Sequence, residues 1–282
     1  MTQASSILAI DVGSSCVKLG WFPSPGDCAS KPSLSPLSIA TPLVPAPAEM
    51  LRMEHTELSD GEWLVELDDW LDGLPLPADA ACLIGSVHRA AADQLCERLA
   101  QHRLQPRRLT AADLPLTVRV PEPERIGIDR LLGALAVNRL RSPKVPAIAI
   151  DMGTAITVDL IAADGAYEGG AILAGPTLSL LALHGGTATL PRLDATILDQ
   201  PPSAIGKSTT QAMASGAYWG TLGAVRELIQ RVSDDLKVKP ELFVTGGASG
   251  PFVSKLGGGN LPPARHVPHL VLAGIRIAAD NI

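Results

Sequence analysis

The chain has 282 residues, of which 46% are hydrophobic, 18% charged and only 3% aromatic, and its formal net charge is -6. This aliphatic composition indicates a globular protein, and the length favours two domains around sizeable cores. The negative net charge argues against a broad nucleic-acid-binding surface, but a single pocket could still be locally positive and hold phosphate.

Targeting and redox signals are weak. No apolar run reaches the ~18 residues that a membrane-spanning helix needs, and the N-terminus lacks the pattern of a signal peptide. The four cysteines form no C-x-x-C pair and no zinc spacing, so we interpret them as buried or incidental thiols: Cys16, Cys28, Cys82 and Cys96. We therefore expect a cytoplasmic protein that binds neither membranes nor nucleic acid.

In chain order, hydrophobic periodicity and turn residues predict strand hairpins that alternate with helices. Pro23 to Glu49 contains seven prolines and is predicted to be a surface excursion with one short strand near Ile39. The predicted strands are a hairpin at 7–22, then 81–87, a second hairpin at 147–161, 166–173, and 241–249 running into a Gly-Gly turn. The predicted helices are 90–102, 127–140, 177–186, 208–236 and 270–280. This alternation predicts an α/β protein with mixed sheets.

Two stretches of the chain are closely similar. The stretch "SSILAIDVGSSCVKL" begins at Ser5, and "PAIAIDMGTAITVDL" begins at Pro146. In each, an apolar strand leads into the motif Asp-x-Gly followed by a hydroxyl residue. A second strand, with alternating apolar residues, follows the motif. Asp11 and Asp151 are 140 residues apart (151 − 11), which indicates a duplicated unit with a ligand held between the halves. We place the domains at 1–124 and 125–282.

The residue types of this repeated turn suit a nucleotide. An aspartate at the end of a buried strand is costly unless it meets a cation or hydrogen-bond donors. The glycine lets the backbone approach a ligand closely, and the hydroxyls of Ser14, Ser15 and Thr154 can donate to phosphate oxygens. Carboxylate, glycine and hydroxyl can together hold Mg²⁺ and the phosphates of ATP. The alternative is that Asp-x-Gly is a common structural turn.

Two other patterns carry less weight. "GKST" at Gly206 is not a P-loop, because the position five residues before that glycine is Pro201 and no buried strand precedes it. The histidines have no metal-ligand spacing, and we interpret each of them as structural or solvated.

Five segments together resemble the type III pantothenate kinases of the actin/hexokinase/Hsp70-like ATPase superfamily. They are "AIDVGSS", "RIGIDRLLGALAV", "AIDMGTAITVDL", "YEGGAILAGPTLSLLALHGGTATLP" with "IGKSTTQAMASGAYWG", and "FVTGGAS". The resemblance implies two duplicated actin-like (ribonuclease H-like) domains with mixed sheets and a ligand cleft between them. It also implies ATP-dependent phosphorylation of pantothenate to 4'-phosphopantothenate, the first step of coenzyme A synthesis.

The resemblance implies roles for individual residues. The ATP phosphate segment comprises Asp11, Val12, Gly13, Ser14, Ser15, Cys16, Val17 and Lys18, with Asp11 organising Mg²⁺. Asp129 corresponds to the proton acceptor. The substrate contacts correspond to Gly127, Ile128, Asp129, Arg130 and Thr209. Asp151 corresponds to the ligand of a monovalent cation, K⁺ or NH₄⁺. The remaining ATP contacts correspond to Thr154, Gly246 and Gly247.

The sequence departs from the family pattern at two places. The first turn reads Asp-x-Gly-Ser-Ser where the family commonly has Asp-x-Gly-Asn-Thr, and Val120 stands where the family tends to carry a tyrosine. Two alternatives therefore stay open. One is another small-molecule kinase or phosphatase of the superfamily, since "DVGSSCVKL" resembles the opening of carbohydrate kinases. The other is an accessory or regulatory homologue with weakened catalysis.

Apolar residues on two helices predict a homodimer. The helix 127–140 carries more apolar surface than one packing face requires, and the helix from Ser208 carries apolar residues beside small residues that permit close approach. The apolar residues are Leu131, Leu132, Leu135, Ala136 and Leu140 in the first helix, and Met213, Ala217 and Leu222 in the second. The family resemblance adds that such helices meet across a two-fold axis. Thr209 of one subunit would then complete the pantothenate pocket of the other. The alternative is that both helices simply bury against their own sheets.

Overall fold

The computed structural model describes residues 6–24, 44–54, 62–77 and 79–282, which form two compact units. The first unit combines the described part of Met1–Leu116 with Pro121–Leu140 and His269–Ile282, and the second combines Thr117–Val120 with Arg141–Pro268. The domain ranges predicted from the sequence were 1–124 and 125–282, and they differ from this division. The helices within Pro121–Leu140 and His269–Ile282 follow residue 124 in the chain, but they pack in the first unit.

The first unit contains five strands and four helices among its described residues. The strands are β1 (Ile7–Val12), β2 (Cys16–Phe22), β3 (Glu49–Glu54), β4 (Ala81–Ser86) and β5 (Arg107–Arg108). The helices are α1 (Glu62–Gly73), α2 (Arg89–Gln101), α3 (Ile128–Leu140) and, after the whole second unit, the last helix (Leu270–Ala279). The predicted strand near Ile39 lies outside the described residues.

The second unit also contains five strands, with three helices in its described part. The strands are β6 (Ala147–Met152), β7 (Ala155–Ile161), β8 (Tyr167–Ala174), β9 (Glu241–Thr245) and β10 (Ala264–His266). The helices are α4 (Pro176–Gly185), α5 (Thr209–Leu236) and α6 (Gly250–Leu256), so the last helix of the chain is α7. Every helix predicted from the sequence is present, with boundaries within two residues.

The two sheets have the same topology. The first has the order β3-β2-β1-β4-β5 and the second β8-β7-β6-β9-β10, with the first three strands antiparallel and the last three parallel in both. Asp11 pairs with Lys18 and Gly85, while Asp151 pairs with Thr157 and Thr245 at the equivalent place. The repeat that the sequence shows is therefore a repeat of whole sheets.

Both faces of the first sheet are covered, which explains why β1 is buried throughout and apolar at every position except Asp11. On one face, Leu67 of α1 and Leu95 of α2 are buried in the same cluster as Ile10. On the other face, α3 and α7 pack against each other and against the sheet. A Cβ on Gly274 of α7 would overlap the backbone of Leu132, so glycine is what allows these two helices to approach so closely.

The packing of α3 and α5 changes the basis of the dimer prediction. The apolar residues of α3 that suggested a subunit contact are all buried inside the first unit: Leu131, Leu132, Leu135, Ala136 and Leu140. Those of α5 are buried in the core of the second unit: Met213, Ala217 and Leu222. These side chains therefore stabilise their own units, and assigning them to a subunit contact was wrong.

An ionic cluster joins α1 to α2. Arg98 donates to both carboxylate oxygens of Asp68, and the ring nitrogen Nε2 of His102 lies 2.8 Å from Oδ1 of the same carboxylate. The hydrogen bond from Arg98 lowers the pKa of Asp68, and the contact with His102 adds to that shift.

Among the described helices, none is long and apolar enough to cross a membrane.

Candidate active site

The first Asp-x-Gly turn joins β1 to β2. Asp11 is only 6% exposed, and Nζ of Lys18 lies 3.5 Å from its Oδ2. Such a pair offsets part of the cost of burying the carboxylate. The N–H of Gly13 donates to the carbonyl of Cys16 at 2.9 Å, which closes the turn and leaves Ser14 exposed at its tip. The turn therefore presents a carboxylate, an ammonium group and hydroxyls together.

The thiol of Cys16 lies at the start of β2, directly after this turn. Burial raises the pKa of Cys16, although the charges of Lys18 and Arg52 act in the opposite direction. The side chain is therefore a neutral thiol at pH 7. Cys16, Cys82 and Cys96 form no disulfide, and Cys28 lies outside the described residues.

The start of α3 lies at the same edge of the first sheet as this turn. The carbonyl of Val12 accepts a hydrogen bond from the N–H of Val87, just after β4. A Cβ placed on Gly127 would lie 3.4 Å from Cγ1 of Val87 and 2.5 Å from Oδ1 of Asp129. The structure thus brings the predicted phosphate segment and the predicted proton acceptor to one edge of the unit.

Asp129 is held by the first turn of its helix. Its Oδ1 accepts the N–H of Arg130 at 2.9 Å, and the side chain is half-buried. The positive end of the helix dipole favours a carboxylate at this position. Gly127, Ile128 and Arg130 surround it in sequence, with Ile128 buried and the other two half-buried.

The second Asp-x-Gly turn joins β6 to β7 in the second unit. Gly246, just after β9, has φ +98°, and a Cβ there would overlap Oδ1 of Asp151 and the carbonyl of Met152. The N–H of Ala248 donates to that same carbonyl at 2.9 Å. The structure therefore brings Asp151, predicted to hold a monovalent cation, close to the Gly246–Gly247 turn, predicted to contact ATP.

The other predicted residues of the second unit lie on neighbouring segments. Thr154 is exposed, and its carbonyl accepts the N–H of Gly175 at 2.9 Å, which places the start of α4 beside the second turn. Thr209 is the exposed first residue of α5, after the N-cap Ser208. A short 3₁₀ turn, Ala195–Leu198, precedes this segment, so "GKST" does not follow a strand and is not a P-loop.

Tyr167 lies close to Val120, the position at which the family tends to carry a tyrosine, and the sequence did not indicate this proximity. The N–H of Arg119 donates to the carbonyl of Tyr167 at 2.8 Å, and Val120 lies against Gly169. The ring of Tyr167 is fully buried, and its hydroxyl donates to Asp159 at 2.8 Å. Tyr167 is therefore near in space, but its hydroxyl is engaged in the core of the second unit.

Residues suited to hold a metal ion are sparse. In the ranges that the structure describes, no group of three or more His, Cys, Asp or Glu side chains could hold a metal ion. This donor set fits Mg²⁺ that is carried by nucleotide phosphates and met by one carboxylate, since Mg²⁺ commonly binds in that way.

Ser249 and His266 were missed by the sequence reasoning. The hydroxyl of Ser249 donates to the carbonyl of Gly246 at 2.7 Å, and Nε2 of His266 lies 3.2 Å from Oγ of Ser249. The serine in "FVTGGAS" was a visible signal because it follows the glycines. His266 gave none, because its approach depends on the pairing of β10 with β9.

Comparison of the sequence with known proteins matches most of the chain to one family. Residues 7–231 match the family model described as type III pantothenate kinase. A protein named type III pantothenate kinase from Gluconobacter oxydans (strain 621H) is 38% identical over 224 residues, which cover 78% of this chain and 78% of that protein.

Solved structures agree at the level of the fold. A protein from Campylobacter jejuni described as a Baf family transcriptional activator has a TM-score of 0.56 at 15% identity, with 97% of this chain and 98% of that one covered. A protein from Sinorhizobium meliloti assigned as a 2-dehydro-3-deoxygalactonokinase has a TM-score of 0.52 at 18% identity, with 98% and 96% covered. These likenesses confirm the actin-like fold alone. The sequence matches go further, and they show that the chain belongs to the type III pantothenate kinase family.

Proposed function

We propose that this chain transfers the γ-phosphoryl group of ATP to the hydroxyl group of pantothenate, which yields 4'-phosphopantothenate and ADP. The single observation that carries this function is the family match over residues 7–231. That range includes Asp11, Asp129, Asp151 and Thr209. Because the proposed reaction consumes ATP and pantothenate, we also propose a cytoplasmic location.

Asp129 is the group to which we assign the substrate's proton. Phosphoryl transfer depends mainly on positioning and on neutralising charge, so a carboxylate held near the attacking hydroxyl has a defined task. The hydrogen bond from the N–H of Arg130 fixes one oxygen of Asp129, and the helix start is a rigid support. Arg130 is assigned to the carboxylate of pantothenate, because a guanidinium recognises that group.

The first turn is assigned to the nucleotide phosphates. When bound, Mg²⁺ would neutralise charge on the phosphates, and Asp11 is the carboxylate of this edge that would meet it. Lys18 already lies 3.5 Å from Asp11, so phosphate oxygens can share its ammonium group. The exposed Ser14 and the half-buried Ser15 add hydroxyl donors.

The test compares Asp129→Asn with Glu124→Gln, which removes an exposed carboxylate from the turn just before α3. ATP-dependent conversion of pantothenate should fall by about 10²–10⁴-fold in Asp129→Asn, the range for general-base catalysis. Glu124→Gln should keep its activity and its unfolding midpoint in urea, and Asp129→Asn should remain folded while losing at most about 1 kcal/mol of helix-dipole stabilisation. If Asp129→Asn keeps more than half of the wild-type turnover, Asp129 has no part in the reaction.

Asp151 is assigned to a monovalent cation, K⁺ or NH₄⁺. Its Oδ1 faces the backbone of Gly246, and backbone carbonyls and carboxylates are the oxygen donors that such a cation needs. Dialysis into Tris or sodium buffer should remove most activity, and K⁺ or NH₄⁺ should restore it. Equal rates in all buffers would show that Asp151 is structural or binds Mg²⁺ instead.

We further propose a homodimer, on a different face of α5 from the one that the sequence suggested. Opposite its buried side, α5 exposes a stripe of small residues: Ala212, Gly216, Gly220, Gly223 and Ala224. Glycine costs a helix roughly 1 kcal/mol per residue relative to alanine. Three exposed glycines therefore favour a second helix that approaches closely at this stripe.

Exposed apolar side chains on other elements of the second unit also suit a subunit contact. Helix α4 packs beside α5, and its Leu178 and Leu181 are 39% and 40% exposed, while Ile172 of β8 is 64% exposed. Where such exposed apolar side chains form one patch, the patch commonly marks an interaction site. In a two-fold dimer the same patch serves both subunits.

Gly220→Arg tests this face, because a Cβ on Gly220 meets nothing within 4 Å in the single chain. We expect a dimer by light scattering for the wild type, a monomer for Gly220→Arg, and a dimer for the control Gln94→Arg on the exposed side of α2. Mixing Asp129→Asn with Thr209→Arg should also restore activity in hybrids, since one of their two shared pockets carries neither defect. A monomeric wild type, or hybrids without recovery, would contradict the shared site.

A further inference from the structure

A chain of hydrogen bonds connects an exposed histidine to the Gly246–Gly247 turn. The carbonyl of Gly246 accepts both the N–H and the hydroxyl of Ser249, at 3.1 and 2.7 Å. The Oγ of Ser249 lies 3.2 Å from Nε2 of His266, the exposed last residue of β10. Ser249 is only 1% exposed, so its hydroxyl depends on these partners.

The direction of these bonds follows from the proton of Ser249. A hydroxyl has one proton, and here it points to the carbonyl of Gly246 at the shorter distance. The Oγ of Ser249 can therefore only accept from His266, which requires the proton on Nε2. This arrangement exists in the neutral ring with that tautomer and also in the protonated ring.

The turn needs such support because its backbone is constrained. Gly246 has φ +98° and lies directly against Oδ1 of Asp151, so a small shift of the turn would also move that carboxylate's surroundings. A backbone hydrogen bond to Met152 holds the turn at Ala248, and Ser249, paired with His266, holds it at the carbonyl of Gly246.

We propose that His266, acting through Ser249, is a positioning residue that keeps the Gly246–Gly247 turn in the shape that binds the adenine nucleotide. This inference rests on the proposed function and on the ATP contact that the family resemblance implies for Gly246 and Gly247. It predicts an effect on nucleotide affinity that is larger than the effect on pantothenate affinity or on turnover.

The experiment measures the Kd of the full chain for ADP with Mg²⁺ by calorimetry, and the KM for ATP, the KM for pantothenate and kcat. His266→Phe removes the donor, whereas His266→Gln keeps an N–H that can reach Ser249. Arg265→Gln is the matched control, because successive residues of a strand point to opposite faces and its guanidinium lies over the ring of Phe243, 5.8 Å from the ring centre.

We expect His266→Phe to raise the Kd for ADP and the KM for ATP by roughly 3- to 10-fold, the effect of one lost hydrogen bond. The KM for pantothenate and kcat should stay within about twofold, and His266→Gln should recover most of the affinity. Arg265→Gln should match the wild type. The double variant Ser249→Ala with His266→Phe should bind ADP no more weakly than Ser249→Ala alone, because both changes break one chain of bonds.

Several results would overturn the inference. They are an unchanged Kd for ADP in His266→Phe, no recovery in His266→Gln, or equal losses in both KM values and kcat. A wild-type chain that binds ADP but does not phosphorylate pantothenate would refute the proposed substrate, and the ADP affinities of the variants would still decide the role of His266. A wild-type chain that binds no ADP would overturn both.

Discussion

Replacing Gly246 by alanine is the most direct perturbation of the second half of the site. Gly246 follows β9 with φ +98°, a conformation that residues with a side chain rarely adopt. The added Cβ would overlap Oδ1 of Asp151 and would lie 2.5 Å from the carbonyl carbon of Met152. Neither neighbour is the flexible end of a long side chain, so the turn itself must move.

The expected cost has two parts. Holding alanine at this φ costs roughly 1–3 kcal/mol, and overpacking against fixed neighbours costs roughly another 1–3 kcal/mol. The lower entropy of the unfolded alanine chain offsets about 0.4–1 kcal/mol of this. A net loss of about 1–5 kcal/mol is large against the roughly 5–15 kcal/mol that stabilises a typical protein.

Urea unfolding of Gly246→Ala and Gly247→Ala measures this cost. Gly247 is in the same turn, but it lacks the left-handed φ, and a Cβ on it meets nothing within 4 Å. We expect a clear fall of the unfolding midpoint for Gly246→Ala and little change for Gly247→Ala. If both variants unfold at the same urea concentration, the close approach of Gly246 to Asp151 is not a constraint on this fold.

Two further predictions concern polar groups inside each unit. Asp68→Asn should destabilise the chain by about 1 kcal/mol at pH 7. Because the pKa of Asp68 is lowered in the folded state, its stabilisation is present above the unfolded pKa of about 3.9 and is lost as the pH falls through the folded value. Tyr167→Phe should cost about 1–3 kcal/mol in urea unfolding, because the buried carboxylate of Asp159 loses a donor.

Matched variants test both effects. Asp69→Asn changes the exposed neighbour of Asp68 and should leave the midpoint unchanged at every pH; a loss in Asp68→Asn that persists at pH 2 would contradict the ion pair as its cause. The ring of Tyr218 is as buried as that of Tyr167, and its hydroxyl donates to the neutral carbonyl of Pro251. Tyr218→Phe removes that hydroxyl. It should cost less than Tyr167→Phe, and the opposite order would count against the charged acceptor.

The elements with strong periodicity could be predicted from the sequence. Several observed elements begin and end within two residues of their predicted bounds. They are both hairpins, the strand β4, and the helices α2, α3, α4, α5 and α7. The prediction missed the helices α1, with twelve residues, and α6, with seven, and the strands β3, with six, and β10, with three. The shortest of these elements contain too few apolar positions to show a period.

The candidate site divides in a similar way. The two aspartate turns and Asp129 could be identified because their residue types occur in short, contiguous motifs. The contact of Gly246 with Asp151 and the approach of His266 to Ser249 could not, since each joins segments that only the sheet brings together. Tyr167 is the same case, because its backbone bonds to Thr117 and Arg119 span about fifty positions of the chain.

The sequence by itself determined the duplicated Asp-x-Gly hairpins, the alternation of strands and helices, and the family to which these motifs belong. Periodicity shows that one face of an element is buried, but it does not show what buries that face. Only the tertiary structure decided that α3 is covered by α7, which returns after the whole second unit, so its leucines are not a subunit contact. It also decided that α5 buries its large side chains and exposes its glycines, because burial of the larger apolar area stabilises the unit more.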